Sequence, residues 1–402
     1  MLGGKTVILG VTGSIAAYRA ADVAGQLVRH GAEVHVIMTR AAREFISPLT
    51  MESISGNPVR TEMFAGHSGA MVHLDLARSG DVVVVAPATA NVIGKVAGGV
   101  ADDLLTTLVL AFAGPVLLCP AMNPAMYANP IVQRNIRELQ ELGYRFCGPE
   151  AGRVACGDEG RGRLAPPESI VERVIGLTKG VDDLRGVRVM VTAGATREPL
   201  DPVRYLTNRS SGRMGYAVAR AARDRGADVV LVSGPTSLPD PDGLTLVPVE
   251  TASEMFEAVR HRLPESDILV MAAAVADYRP AEVARKKIKK QDGRLTVELE
   301  PTADILAYAG RHKKPGRVMV GFAAETGDPV EYAMEKARKK GADLMVGNDV
   351  TRPGAGFDVE TNLVVFVFPD GRCIRLPQMD KYEVAWRVLD EVLTIRGGVA
   401  GA

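Results

Sequence analysis

The chain is short of everything that would staple it covalently or send it to a membrane. Its cysteines number four, Cys119, Cys147, Cys156 and Cys373, widely spaced and without a CxxC pair. That pattern argues against a disulfide framework or a structural zinc site. Net charge is also absent, because 48 basic residues balance 48 acidic ones. Without a global positive field, neither nucleic acid nor an anionic membrane is an expected partner, and any anion site must be local. No apolar run approaches the length of a membrane span, and the opening Met1-Leu2-Gly3-Gly4-Lys5 leads straight into a strand-like segment. A soluble, reducing, cytoplasmic setting is therefore expected. A GxGxxG fingerprint is missing as well, which counts against a dinucleotide.

What is present is a repeat. Residues 5–39 read as a buried strand, a glycine turn, a helix closed by Arg29-His30-Gly31-Ala32, and a second strand. Residues 187–235 repeat that order, with Asp224-Arg225-Gly226-Ala227 at the helix end. Glycine suits that position because it tolerates the left-handed conformation. Short apolar runs such as 82–85, 116–118, 268–271, 318–320 and 344–346 are continuous, as in strands buried on both faces of a parallel sheet. At 402 residues the length suits about two domains. The expected fold class is α/β: two doubly wound, Rossmann-like, three-layer domains with mainly parallel sheets, over 1–180 and 186–402. The seam falls in the polar stretch Thr178 to Gly186.

In such sheets ligands sit beyond the carboxyl ends of the strands. In the first half, Gly10-Val11-Thr12-Gly13-Ser14-Ile15 sets glycines and hydroxyls between a strand and a helix, a pattern suited to a phosphate. Thr39 and Arg40 end the second strand where an acidic residue would take a ribose, which favours a mononucleotide. The plain alternative is a tight turn with no ligand. His73 alone reads as a packed or surface histidine and Asn123 as a helix cap. Cys156 lies in the glycine- and charge-rich stretch 152–163, so an accessible loop is expected for it.

As an ordered set, Gly-Ser-Ile-Ala-Ala, His-Leu-Asp-Leu, Pro-Ala-Thr-Ala-Asn, Pro-Ala-Met-Asn and Ala-Cys-Gly-Asp resemble the phosphopantothenoylcysteine decarboxylases, within the homo-oligomeric flavin-containing cysteine decarboxylases. The resemblance covers residues 5 to about 178. It implies FMN, which oxidises the thiol-bearing carbon to a thioaldehyde so that carbon dioxide can leave, and then reduces the enethiol. It further implies His73 as base or electrostatic partner, Asn123 holding the departing carboxylate, and Cys156 as proton donor to the enethiol. Gly13, Ser14, Ile15, Thr39, Thr89 and Met122 are the implied FMN contacts. One departure stands out: Asp102 occupies a position where the family pattern has asparagine, and a negative charge there disfavours a phosphorylated substrate unless it faces away.

In the second half, Asn208-Arg209-Ser210-Ser211-Gly212 precedes a helix and can donate to phosphate oxygens, although a capped surface helix is an equal reading. Arg285-Lys286-Lys287-Ile288-Lys289-Lys290 reads by itself as a solvated face. Together with Pro202-Val203-Arg204-Tyr205, Ala273-Ala274-Val275-Ala276-Asp277-Tyr278, Gly321-Phe322-Ala323-Ala324-Glu325 and Asn348-Asp349, these segments resemble the phosphopantothenate–cysteine ligases over about 186 to 393. That resemblance implies CTP as activating nucleotide with Mg²⁺, and 4′-phosphopantothenate and cysteine as further substrates. Asn208 would stabilise the acyl-cytidylate, and Lys287 and Lys289 would neutralise the triphosphate. Asp277 would bind nucleotide or metal. Ala273, Ala274, Val275, Asp304, Phe322, Lys336 and Lys340 would line the nucleotide pocket. Arg213 stands where the family pattern often has lysine. The combined resemblance implies decarboxylase trimers joined through ligase dimers, up to a dodecamer.

Overall fold

A computed structural model describes residues 2–63, 72–154, 157–289, 294–352, 356 and 359–400. The chain divides into two compact units, Met1–Val181 and Asp182–Ala402. Helix Pro167–Lys179 carries the first unit into the polar stretch beginning at Thr178, and Gly180 ends it at φ 60°.

In the first unit, β1 (Thr6–Val11), β2 (Glu33–Met38), β3 (Val82–Ala88), β4 (Val116–Pro120) and β5 (Arg145–Phe146) form a five-stranded sheet in the order β2-β1-β3-β4-β5. All its pairings are parallel. The valine run of β3 is buried at every position, as a strand covered on both faces must be. Helices Arg19–Arg29, Pro48–Ser55 and Pro167–Lys179 pack together on one face. On the other, Val92, Ile93, Leu105, Leu108 and Ile136 close over Ile8, Val83, Val85 and Leu118. Burying each such side chain contributes about 1.5–3 kcal/mol, so apolar contact is the main force between the layers. The strand order reverses between β1 and β3, which opens a crevice beyond their carboxyl ends. A hairpin, β6 (Glu150–Arg153) with β7 (Glu159–Arg163), follows the sheet.

The second unit has an eight-stranded sheet. In space it runs Thr245–Pro248, Asp228–Ser233, Arg188–Ala193, Ile268–Met271, Val318–Glu325, Leu344–Asp349, Val364–Val367 and Cys373–Arg375. The pairings are parallel up to Leu344–Asp349 and antiparallel beyond it. Here the switch point lies between Arg188–Ala193 and Ile268–Met271. Met255, Val259, Leu306, Ala333 and Ala337 cover one face. Helices Arg213–Asp224 and Lys381–Ala400 pack together. The buried Arg225 joins the unit's first residues to its last helix, pairing with Asp183 at 2.6 Å and Asp390 at 2.7 Å, its guanidinium 4.8 Å from the Trp386 ring centre.

Both units are doubly wound with mainly parallel sheets, as the continuous apolar runs implied. The repeated Gly-Ala punctuation also has its expected cause: Gly31 and Gly226 close their helices at φ 88° and 86°. Among the described residues no helix is long and apolar enough to cross a membrane.

Candidate active sites

At the first switch point, Thr12 ties the two central strand ends together. Its hydroxyl donates to Pro87 O at 2.7 Å and accepts from Thr89 N at 3.2 Å. Around this knot lie two cavities of about 520 and 670 Å³, both bordered by Ser14, Ala121 and Met122. Gly13, Thr39 and Thr89 line the first; Ile15 and Asn123 line the second. A Cβ at Gly13 would stand 2.4 Å from Ala41 Cβ, so glycine is needed where the turn passes Thr39-Arg40-Ala41.

The hydroxyls of Ser14, Thr39 and Thr89 each accept a backbone N–H at a helix start, from Ala16, Ala42 and Val92. Capping uses the oxygen as acceptor and does not consume the hydroxyl proton, which remains a donor to a ligand. Asn123 is likewise a cap. Its Oδ1 accepts from Ala125 N at 2.8 Å, and its Nδ2 donates to Asp158 Oδ2 at 2.7 Å. Strand β7 reaches the same segment, with Met122 N donating to Gly162 O at 3.0 Å.

The remaining expectations for this unit are placed differently. His73 lies in the first turn of helix Val72–Ser79 and is not among the lining of either cavity. Cys156 lies outside the described residues. Asp102 forms an ion pair with Lys95 at 2.8 Å, which holds its carboxyl below the usual range and neutralises the charge. Lys95 itself lines the first cavity, with Arg40; Arg153 and Arg163 line the second. The sequence reading used Arg40 only to argue for a mononucleotide and assigned Lys95, Arg153 and Arg163 no role, because isolated cations in helices and hairpins carry no motif.

The second switch point is knitted in the same way. Buried Thr192 and Thr196 accept from the backbone N–H of Ala273 and Ala276 at 3.2 and 3.0 Å. Asn208 Nδ2 donates to Val275 O at 3.0 Å, so the loop before the helix is fastened to the strand end. Between them opens a cavity of about 410 Å³, bordered by Asn208, Ala273, Ala274, Val275, Asp277, Phe322 and Lys336. Helix Arg213–Asp224 begins there with Gly212 at φ 77° and no side-chain cap, so its first N–H groups are left for a ligand.

Among the described residues the lining carries four cations, Arg209, Arg213, Lys336 and Lys381, and one carboxylate, Asp277. Burial lowers the pKa of Lys336. Arg213 is held by the Glu360 carboxylate, a partner its sequence position did not announce. Asp304 and Lys340 are not among the lining; they pair at 3.0 Å, and Asp304 also caps helix Ile305–Arg311. Lys287 and Lys289 are exposed on a loop and do not line the cavity either. Asn348, Asn362 and Lys381 do, although the sequence reading gave Asn362 and Lys381 no role.

Two family models divide the chain: a flavoprotein model matches residues 1–179, and the C-terminal domain of DNA/pantothenate metabolism flavoproteins matches 184–395. The coenzyme A biosynthesis bifunctional protein CoaBC of Bacillus subtilis (strain 168) is 47% identical over 98% of both chains. The chain belongs to the CoaBC family. The CoaBC protein of Escherichia coli (strain K12) is 44% identical over 98% of each chain. A solved C-terminal domain of a CoaBC protein is 42% identical over 55% of this chain and 98% of its own, with a TM-score of 0.46. As a CoaBC enzyme it is bifunctional, with a flavoprotein decarboxylase for phosphopantothenoylcysteine and a phosphopantothenate–cysteine ligase.

Proposed function

We propose that the second unit joins cysteine to 4′-phosphopantothenate at the expense of CTP, and that the first unit decarboxylates the product with FMN. The reading rests above all on the contrast between the two switch points. The first combines a glycine cradle with capping hydroxyls, and the second sets an uncapped helix start, the half-buried Lys336 and Asp277 around one cavity.

In ligation, the substrate carboxylate attacks the α-phosphate of CTP, pyrophosphate leaves, and the acyl-cytidylate loses CMP to the cysteine amine. The first-turn N–H groups after Gly212 and the ammonium of Lys336 suit the phosphates. Asn208, fastened to Val275, is positioned to hold the acyl-cytidylate. Ala273, Ala274, Val275 and Phe322 form the wall against the nucleoside. A cavity carboxylate such as Asp277 fits Mg²⁺, which takes its other ligands from water and phosphate oxygens. Lys287 and Lys289 meet the departing pyrophosphate from the loop, while outside the cavity Asp304 favours the charged Lys336 and Lys340, paired with Asp304, opposes it.

In decarboxylation, a bound FMN provides the electron sink that a cysteinyl carboxylate lacks and returns the electrons afterwards. Gly13, Ser14, Ile15, Thr39, Thr89 and Met122 would hold it. Asn123, its amide fixed at both ends, receives the departing carboxylate. His73 acts as base or electrostatic partner, and Cys156 returns a proton to the enethiol. The assembly is a homo-oligomer, built from decarboxylase trimers and ligase dimers.

Mass identification of the bound flavin and CMP release on the same purified protein test both halves. The expected result is FMN, together with CMP formation that requires CTP, 4′-phosphopantothenate and cysteine. A protein that takes up no flavin, or that releases AMP from ATP and nothing from CTP, overturns the corresponding half.

A further inference from the structure

Asp201 opens the Pro202-Val203-Arg204-Tyr205 segment, which the proposed chemistry leaves without a task. Its side chain is fully buried, an unusual place for a carboxylate. One oxygen, Oδ1, accepts the backbone N–H groups of Val203 and Arg204 at 2.8 and 2.9 Å. The other, Oδ2, accepts both Nε and Nη2 of Arg204, at 3.0 and 2.5 Å, and the N–H of Ile288 at 3.1 Å. Arg204 Nη2 then donates to Ile288 O at 2.9 Å. Both backbone polar groups of one loop residue are thus gripped by a single ion pair, its carboxylate buried and its guanidinium exposed. That residue lies between Lys287 and Lys289.

The loop needs such a grip. Residues 281–289 form no helix or strand, and Arg285, Lys286, Lys287 and Lys289 are exposed cations that repel one another. Among the described residues neither Lys287 nor Lys289 makes an ion pair. Asp201 and Arg204 cancel each other's charge, so they can anchor the loop without neutralising the lysines on it. The surrounding hydrogen bonds hold the Asp201 carboxyl far below the usual range, so it stays ionised throughout the working pH range.

We infer that Asp201 is a positioning residue of the ligase, clamping Ile288 together with Arg204 so that Lys287 and Lys289 are presented to the triphosphate. The inference rests on the proposed role of those two lysines, and the experiment separates the two. In the full-length protein, pyrophosphate release from CTP and 4′-phosphopantothenate is measured for Asp201→Asn, for the Lys287→Ala/Lys289→Ala pair, and for all three substitutions combined. Displacing a catalytic group by about 1 Å costs about 100-fold, so Asp201→Asn is expected to lower kcat by about 10- to 100-fold, with the KM for 4′-phosphopantothenate little changed. In the lysine-free background the same substitution should cost less than about twofold, because the groups it positions are gone. A merely structural residue would give the same loss in both backgrounds, and that result overturns the inference alone. Full activity of the lysine pair variant overturns the lysine reading and the inference with it. Ile288→Pro removes the N–H that Asp201 accepts while leaving the Asp201–Arg204 pair intact, so it guards against Asp201→Asn failing to fold. It should reproduce the drop in kcat, and an unchanged kcat overturns the clamp.

Discussion

Lys336 is a half-buried ammonium at the ligase cavity. Burial lowers its pKa, Lys340 one turn away lowers it further, and Glu325, Asp277 and Asp304 oppose the shift. Native Lys336 therefore loses its proton at a lower pH than a free lysine, whose value is 10.5. A polyphosphate favours the charged form and raises the pKa again, so nucleotide binding takes up a proton in the alkaline range. Nucleotide affinity is expected to fall as pH rises through the lowered pKa, by at most about tenfold per pH unit for one proton. Lys336→Arg keeps its charge and should flatten that fall. Calorimetric titration with CTP in buffers of different ionisation heat reads both effects. At this scale the sequence was legible in part. The four-residue spacing of Lys336 and Lys340 was visible, and helix Val330–Lys340 bears it out. The pairing of Lys340 with Asp304 was not, because it joins two helices whose approach no local pattern encodes.

At the scale of elements, both cavities are lined by residues that begin helices. Ser14, Thr39, Thr89 and Asn123 are caps first, and their polar atoms face the crevice because helix starts gather there. For Asn123, then, the cap and the site residue are one reading. Strand β7 completes the wall by close approach: a Cβ at Gly162 would stand 2.2 Å from Met122 O. Gly162→Ala should push the hairpin off the Met122–Asn123 segment and lower kcat/KM for decarboxylation by about 100-fold. Flavin absorbance of the purified protein should persist, since of the proposed contacts only Met122 is disturbed and Gly13, Ser14, Ile15, Thr39 and Thr89 are untouched. Loss of flavin together with activity would show that the hairpin builds the flavin site itself. Gly162 was visible in the sequence only as one of several glycines in a charged stretch; the contact that makes it necessary is tertiary.

For the molecule as a whole, each half has its own sheet, its own core and its own switch point. The activities should therefore be separable by a single substitution. Gly13→Val would drive a side chain into Ala41 and is expected to abolish flavin binding and decarboxylation. Ligation, measured as CMP release by the same preparation, should stay within about twofold of the unchanged chain, since sites that share no partners behave independently. A parallel loss of ligation would mean that the second unit relies on the first being intact.

The apolar runs, the glycine-closed helices and the ordered motifs determined by themselves that the chain folds as doubly wound α/β units of this family, because burial on both faces of a parallel sheet leaves a local imprint. Only the tertiary structure decided which charges stand alone and which are matched. Asp102 meets Lys95, Arg213 meets Glu360, and Asp201 with Arg204 grips a loop more than eighty residues further along the chain. Ion pairs of that kind follow from how close two surfaces come, and distance in space is not written in distance along the chain.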